Sequence, residues 1–413
     1  MKKFDKDKYL KNLKFKRNLT KYGKYFYIGV PCVLAVVAGI YFAYSKFTVS
    51  KDAEVVKTTV GEFIHGDVVI GAYINGEYSN TIPGKNDGYA VKSVSCDNNA
   101  TGSWDKDAWG IVLTNMTKRT KCNIYFETKK NSVNDVINEA VNTNSSMFAS
   151  DDPGKNVRYI GKDPSNYVYF NCSDYANPTA NTCELWRIIG VFNNVTKRDG
   201  SKENLVKIIR DDSIGNIAWD DNNVNDWSTA TLQQNLNSGT YYTTTLKNDT
   251  TRNAIEEVVW NLGGTGSYTS ASNGLASHFY GYERGTTVYS GRPTTWTGKI
   301  GLMYPSDYGY ATSGGTAKDR AACLAKELYN WNSSEFSDCK GNDYLLDTNN
   351  VQWTLAPRSS DASYVFRVYD VGRVYYGNSN RTYAVRPVLF LKSNIQVDKG
   401  TGEKSNPYTL KIQ

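Results

Sequence analysis

Residues 364–386 read Tyr-Val-Phe-Arg-Val-Tyr-Asp-Val-Gly-Arg-Val-Tyr-Tyr-Gly-Asn-Ser-Asn-Arg-Thr-Tyr-Ala-Val-Arg. Tyrosine and arginine combine large, flat contact area with hydrogen-bond donors at a small cost in side-chain entropy, which suits recognition surfaces. Two alternating strands around a turn-rich bend at 377–380 are expected. Val365 and Val374 would then lie on an apolar face. Arg367, Tyr369, Arg373 and Tyr375, with Tyr376, Asn378 and Asn380, would form a ligand-binding surface. The plainer alternative is tyrosine filling a sheet face at a wet edge.

Other residues that could do chemistry are less well arranged. Asp221, Asn223 and Asn225 have the alternate spacing of a calcium loop. The sixth position is Asp226 where glycine is wanted, and the twelfth is Leu232 where glutamate is wanted. A turn that caps the next helix is the expected role, so this triplet is only a weak metal candidate. Glu256, Glu257, Glu283, Asp307, Asp361 and Asp370 offer carboxylates for glycoside hydrolysis, but no spacing ties two of them together. His278 lies in His-Phe-Tyr-Gly-Tyr without a serine or cysteine nucleophile motif. No catalytic residue and no cofactor is expected from these patterns.

These residues need elements to position them. Residues 57–128 alternate like a small all-β domain, with turns at Asn75-Gly76 and Asp87-Gly88. Residues 129–155 read as a connector holding a short amphipathic helix at 133–147. Residues 156–397 form the main domain. Its strands are expected at 157–160, 167–170, 185–192, 205–210, 352–355, 364–369, 373–376 and 383–391. Its helices are expected at 228–236, 251–262 and 318–331, and the stretch 263–298 reads as loop. Strands around a central helical section make an α+β layout. Residues 398–413 read as a short polar end.

Of the chain's net charge of +7, residues 1–24 carry +8, leaving the rest at −1. The ectodomain is therefore close to neutral, and nothing in it calls for nucleic acid. Residues 25–45 are uncharged and aromatic at both ends. As a helix they would span about 31 Å, close to a hydrocarbon core. The expectation is a single-pass, signal-anchor span with residues 1–24 cytoplasmic. A stalk (46–56) and the C-terminal ectodomain would follow outside the cell. Cys32 falls in that span. The other six cysteines suggest local pairs by proximity: Cys96 with Cys122, Cys172 with Cys183, and Cys323 with Cys339. An oxidising exterior would favour such bonds.

Five motifs run in order through the main domain. They are Trp186-Arg187-Ile188-Ile189, Leu232-Gln233-Gln234-Asn235-Leu236-Asn237, the run from Ile300 through Leu302 and Met303 to Asp307 and Tyr308, Trp353-Thr354-Leu355 ending in Ser359, and Val385-Arg386-Pro387-Val388-Leu389. Together they resemble a domain of unknown function from Gram-positive gut bacteria. That domain is similar to the C-type-lectin-like fold of the formylglycine-generating enzyme and of retroelement-diversified ligand-binding proteins. The front domain, with Cys96, Trp109 and Cys122, resembles a module of anchored surface proteins in such bacteria. The resemblance implies an α+β C-type-lectin-like domain whose irregular loops and late strands form a ligand surface. Copper chemistry has no carrier, since no cysteine follows Cys339. The calcium-dependent sugar site lacks its Glu-Pro-Asn or Gln-Pro-Asp tripeptide.

The function expected is adhesion or ligand binding at the bacterial cell surface. Its partners would be the membrane and an extracellular protein or glycan, with no nucleic acid. The alternatives are an enzyme acting on cell-wall glycan, which would need two carboxylates in one cleft, and a structural envelope or pilus-like component.

Overall fold

The Asn75-Gly76 pair makes the first turn: with φ of 51° and 92°, it folds the strand Val68–Ile74 back onto Glu77–Ser79. The computed structural model describes residues 56–58, 68–128 (apart from 86, 88, 107 and 117) and 132–412. They fall into two units that divide after Lys129.

The first unit is made of strands. One sheet runs Glu77–Ser79, Val68–Ile74, Thr120–Thr128, Tyr89–Cys96, with the middle two parallel. A second runs Val56–Thr58, Gly110–Thr114, Thr101–Asp105. The apolar side chains Ile111, Ile124 and Phe126 are buried together with Trp109. Cys96 and Cys122 sit opposite each other in the ladder and are bonded.

In the second unit, the strands Glu184–Thr196 and Lys202–Arg210 are buried on both faces over residues 186–192 and 205–209, as central strands require. They anchor a seven-stranded sheet in the order Ile300–Gly301, Val388–Phe390, Lys202–Arg210, Glu184–Thr196, Val157–Tyr159, Phe148–Ala149. Tyr167–Phe170 also pairs with Glu184–Thr196. A five-stranded sheet runs Asn216–Ala218, Thr382–Ala384, Gln352–Pro357, Tyr364–Val368, Val374–Asn378. Disulfides Cys172–Cys183 and Cys323–Cys339 staple its loops.

The segment read as a connector packs into this unit. Its helix Val133–Thr143 is capped by Ser132, buries Val133 and Ile137, and donates from Val133 N to Ile395 O at 3.0 Å. The segment read as a polar end forms a hairpin, Gln396–Lys399 with Thr409–Lys411, and buries Leu410. Ser132 bridges Gln396, which pairs with Lys411.

The expected fold class, a membrane anchor ahead of an α+β lectin-like domain, is corrected. Among the described residues the structure is mostly β with few helices, 19 % helical. Among the described residues no helix is long and apolar enough to cross a membrane, against the membrane and signal-anchor expectation. The longest described helix has 11 residues, about 17 Å at the rise of an α-helix and little over half of a hydrocarbon core. Residues 25–45, on which that expectation fell, lie outside the described residues, as do residues 1–24 and the stalk apart from Val56.

Tertiary packing overrides local propensity in the expected helices. The 251–262 helix stops at Ala254, and the β-branched run Val258–Asn261 pairs with Thr295–Gly298 instead. The 318–331 helix ends at Leu324 because Leu328 N turns away to donate to Gly274 O. Conversely, Ala276–Glu283 is a helix within the stretch read as loop.

Candidate functional site

The strand pair Tyr364–Val368 and Val374–Asn378 is joined by a turn at residues 369–373, where Gly372 takes φ 90°. This hairpin brings the tyrosine–arginine residues together. Register sets Arg367 opposite Tyr375, and on its other side opposite Trp353. The Arg367 guanidinium lies 4.2 Å from the Tyr383 ring and 4.7 Å from the Tyr369 ring, and it donates to the Tyr369 hydroxyl. Arg373 continues the ladder, 4.6 Å from Tyr369 and 5.0 Å from Tyr375. Tyr375 stacks on Tyr376 at 4.5 Å, and Tyr376 on Tyr364 at 4.7 Å. Arg358 covers Tyr376 at 4.0 Å.

Five of the seven expected residues, Arg367, Tyr369, Arg373, Tyr375 and Tyr376, therefore share one stacked cluster. Asn378 sits beside it and accepts from Ser363 Oγ, while Asn380 is exposed in the following turn. Val365 differs from expectation: it pairs with Gly377 on the face that carries Arg367 and Tyr375, whereas Val374 pairs with Val368 on the other. Both valines are buried because both sheet faces are covered at this point.

Sequence reading missed Arg358, Tyr364, Tyr383, Tyr329 and Tyr268. Tyr268 is buried beneath the cluster, 4.9 Å from Phe366. It comes from the stretch without periodicity, which carries no signal of the contact. Gly377 was also missed as a support. A Cβ there would lie 2.6 Å from Arg367 Cζ, so a side chain at this position would push the guanidinium from its place.

The electrostatics are uneven. Arg367 is 8 % exposed, and its Nε and Nη1 have no hydrogen-bond partner. Burial, and then the neighbouring Arg373 cation, lower its pKa. Arg358 Nε and Arg373 Nε are likewise buried without partners. None of the three arginines makes an ion pair among the described residues. Asp361 feels the Arg358 charge but accepts instead from Ser363 N and Oγ, both at 2.8 Å.

The weak metal candidate has a structural part. Asn225 Nδ2 donates to the carbonyls of Arg358, Asp361 and Tyr364, tying down the loop that carries Arg358. Asp221 N donates to Thr231 Oγ1, and Asn223 forms a left-handed turn residue with φ 57°. Among the described residues no group of three His, Cys, Asp or Glu side chains is placed to hold a metal ion. His278 Nδ1 accepts from Leu275 N at 3.3 Å and so caps its helix.

A second constellation is buried in the larger sheet. Asp307 Oδ1 accepts from Arg158 Nη1 at 2.8 Å, while Oδ2 accepts from Lys207 Nζ and from Tyr304 N. Arg158 also pairs with Asp152. Lys207 Nζ lies 4.6 Å from the Tyr304 ring and 4.9 Å from Phe192. Burial, partly offset by Asp307, brings the Lys207 amine down to about 8. Burial opposes ionisation of Asp307, but Lys207 and Arg158 together hold its carboxyl far below the usual range.

Glu283 accepts from Ser306 N and Oγ and from Arg284, and burial pushes it up to about 7. Beside these groups is a cavity of about 250 Å³ lined by Lys207, Trp260, Tyr280, Arg284 and Tyr304 among others. Every oxygen of Asp307 and Glu283 is engaged by a protein donor. Asp307 acts as the counter-ion of Lys207 and Arg158 inside the fold. No known family matches the sequence, no curated protein is similar to it, and no solved structure matches its fold.

Proposed function

We propose that the second unit is a recognition head that binds an extracellular protein or glycan through the arginine–tyrosine face of its hairpin. The observation that carries this reading is the continuous cluster of Arg367, Tyr369, Arg373, Tyr375 and Tyr376 at the edge of the five-stranded sheet. Arg367 is buried and the other four are half-buried, with rings and guanidiniums stacked on one another, so little side-chain entropy remains to be lost on binding. Three disulfides fit an oxidising location outside the cytoplasm. Adhesion is then the activity to test.

Arrays of glycans and of extracellular host proteins, probed with the purified protein, measure this directly. A bound ligand whose signal drops at least ten-fold on Tyr375→Ala and on Arg373→Ala is expected. Ligands that ignore both substitutions would move the site elsewhere.

A further inference from the structure

Buried guanidiniums elsewhere in the unit are matched. Arg158 has Asp152 and Asp307, Arg187 has Asp211, and Arg386 spends its donors on the carbonyls of Arg210 and Leu345. The recognition face departs from that pattern. Arg358, Arg367 and Arg373 gather within one stacked cluster, and among the described residues none of their guanidiniums donates to a carboxylate or to a backbone carbonyl. A buried cation without a counter-charge is costly to keep. Arg367 is retained here, seated against the rings of Tyr369 and Tyr383. Resting on the reading of this face as a recognition surface, we infer that its ligand is an acidic saccharide, with a carboxylate or sulfate group meeting the arginines and sugar rings lying on the tyrosines.

The two halves of such a ligand correspond to the two halves of the face. A guanidinium fork matches the two oxygens of a carboxylate or sulfate in a bidentate pair. Arg373 is the accessible member, half-buried where Arg367 is nearly enclosed. Tyr376 is sandwiched between Tyr375 and the Tyr364 and Arg358 side chains, so the stack meets a ligand at the half-buried Tyr375 ring and its hydroxyl. That ring suits the C–H face of a pyranose with its hydroxyls hydrogen-bonded at the rim. An acidic peptide is disfavoured. It would add as a strand to the free edge of Val374–Asn378, but the turn Leu328–Asn330 lies there, with Tyr329 5.8 Å from Tyr375.

The test uses calorimetry on the full chain with four probes: an oligogalacturonide, its methyl-esterified form, a sulfated heparin tetrasaccharide and poly-glutamate. The expected result is binding of at least one acidic saccharide. The esterified oligomer should then bind at least ten-fold more weakly, and affinity should fall as salt rises from 50 to 200 mM. Arg373→Gln should weaken acidic binding at least ten-fold, with partial recovery in Arg373→Lys and an unchanged circular dichroism spectrum. Equal binding of the ester and the acid, lost in Tyr375→Ala, would overturn the acidic ligand and keep the recognition face. Acidic binding untouched by Arg373→Gln and Tyr375→Ala would overturn the face itself. Binding of poly-glutamate alone would overturn the saccharide, and binding of none of the four would overturn the inference outright.

Discussion

Replacing Asp307 by asparagine removes the only carboxylate that Lys207 touches among the described residues. The two residues are completely buried, and the lysine ammonium is otherwise surrounded by aromatic rings. Arg158 keeps Asp152, so the loss falls mainly on Lys207. Leaving one member of a buried ion pair without its partner costs about 3–5 kcal/mol. A domain of this kind has roughly 5–15 kcal/mol in total, so the substitution removes a large share of it. Lys207→Met should cost less, because Asp307 retains Arg158 and the backbone N–H of Tyr304. The double variant should therefore be more stable than the sum of the single losses predicts, by about 2 kcal/mol. Urea unfolding at pH 7, followed by tryptophan fluorescence, measures all three variants, with Trp260 beside the lysine as a local reporter. Strict additivity, or a loss below about 1 kcal/mol for Asp307→Asn, would refute the pairing as the reason these charges tolerate burial.

Asp343 is buried with Oδ2 unpartnered, and burial lifts its carboxyl to about 8 against the N–H groups of Leu345 and Leu346; Glu283 stands at about 7. Both stay protonated in the fold after the unfolded chain has ionised, so stability should fall as pH rises from 5 to 7, by roughly 1.4 kcal/mol per unit for each group. Asp343→Asn should remove its part of that slope in urea titrations at several pH values, and an unchanged slope would exclude the residue. Opening the Cys323–Cys339 link with a double alanine substitution should cost about 3 kcal/mol, given the loop it closes, and should lower the melting temperature seen by calorimetry. Asn225→Ala should cost about 2 kcal/mol by freeing three carbonyls, with the same loss measured with and without calcium. Gly190→Ala places a Cβ 2.0 Å from Val157 O between paired strands, so a loss of about 1–3 kcal/mol is expected in chemical unfolding.

Strands were legible where side-chain pattern alone decides them. The runs around Trp186, Val206 and Phe366 carry enough β-branched and aromatic residues to read as strands in any setting. The cysteine pairs follow from proximity because each closes a short loop. Helices read poorly because they are short and end on contacts from distant residues, as Leu328 does on Gly274. The hairpin residues of the candidate site were legible as a group, since one strand pair supplies most of them. Their faces were not, because a sheet covered on both sides gives no contrast between apolar and polar positions. Arg358, Tyr268 and Tyr383 reach the cluster from other loops and strands, through contacts no local pattern encodes. The buried Lys207 did leave a trace, a cation inside the apolar stretch 205–209 of its strand.

Ser132 and Lys411 both pair with Gln396, which puts the beginning of the second unit and its last strand on either side of one shared strand. Two strand spacings separate them, about 10 Å. The unit is thus topologically a closed loop with one seam. Joining its ends by a few residues and cutting at an exposed turn, such as the one at Gly200, should give a circular permutant with the same sheets. The same seam would let the unit be spliced into a surface loop of another protein without stretching its host.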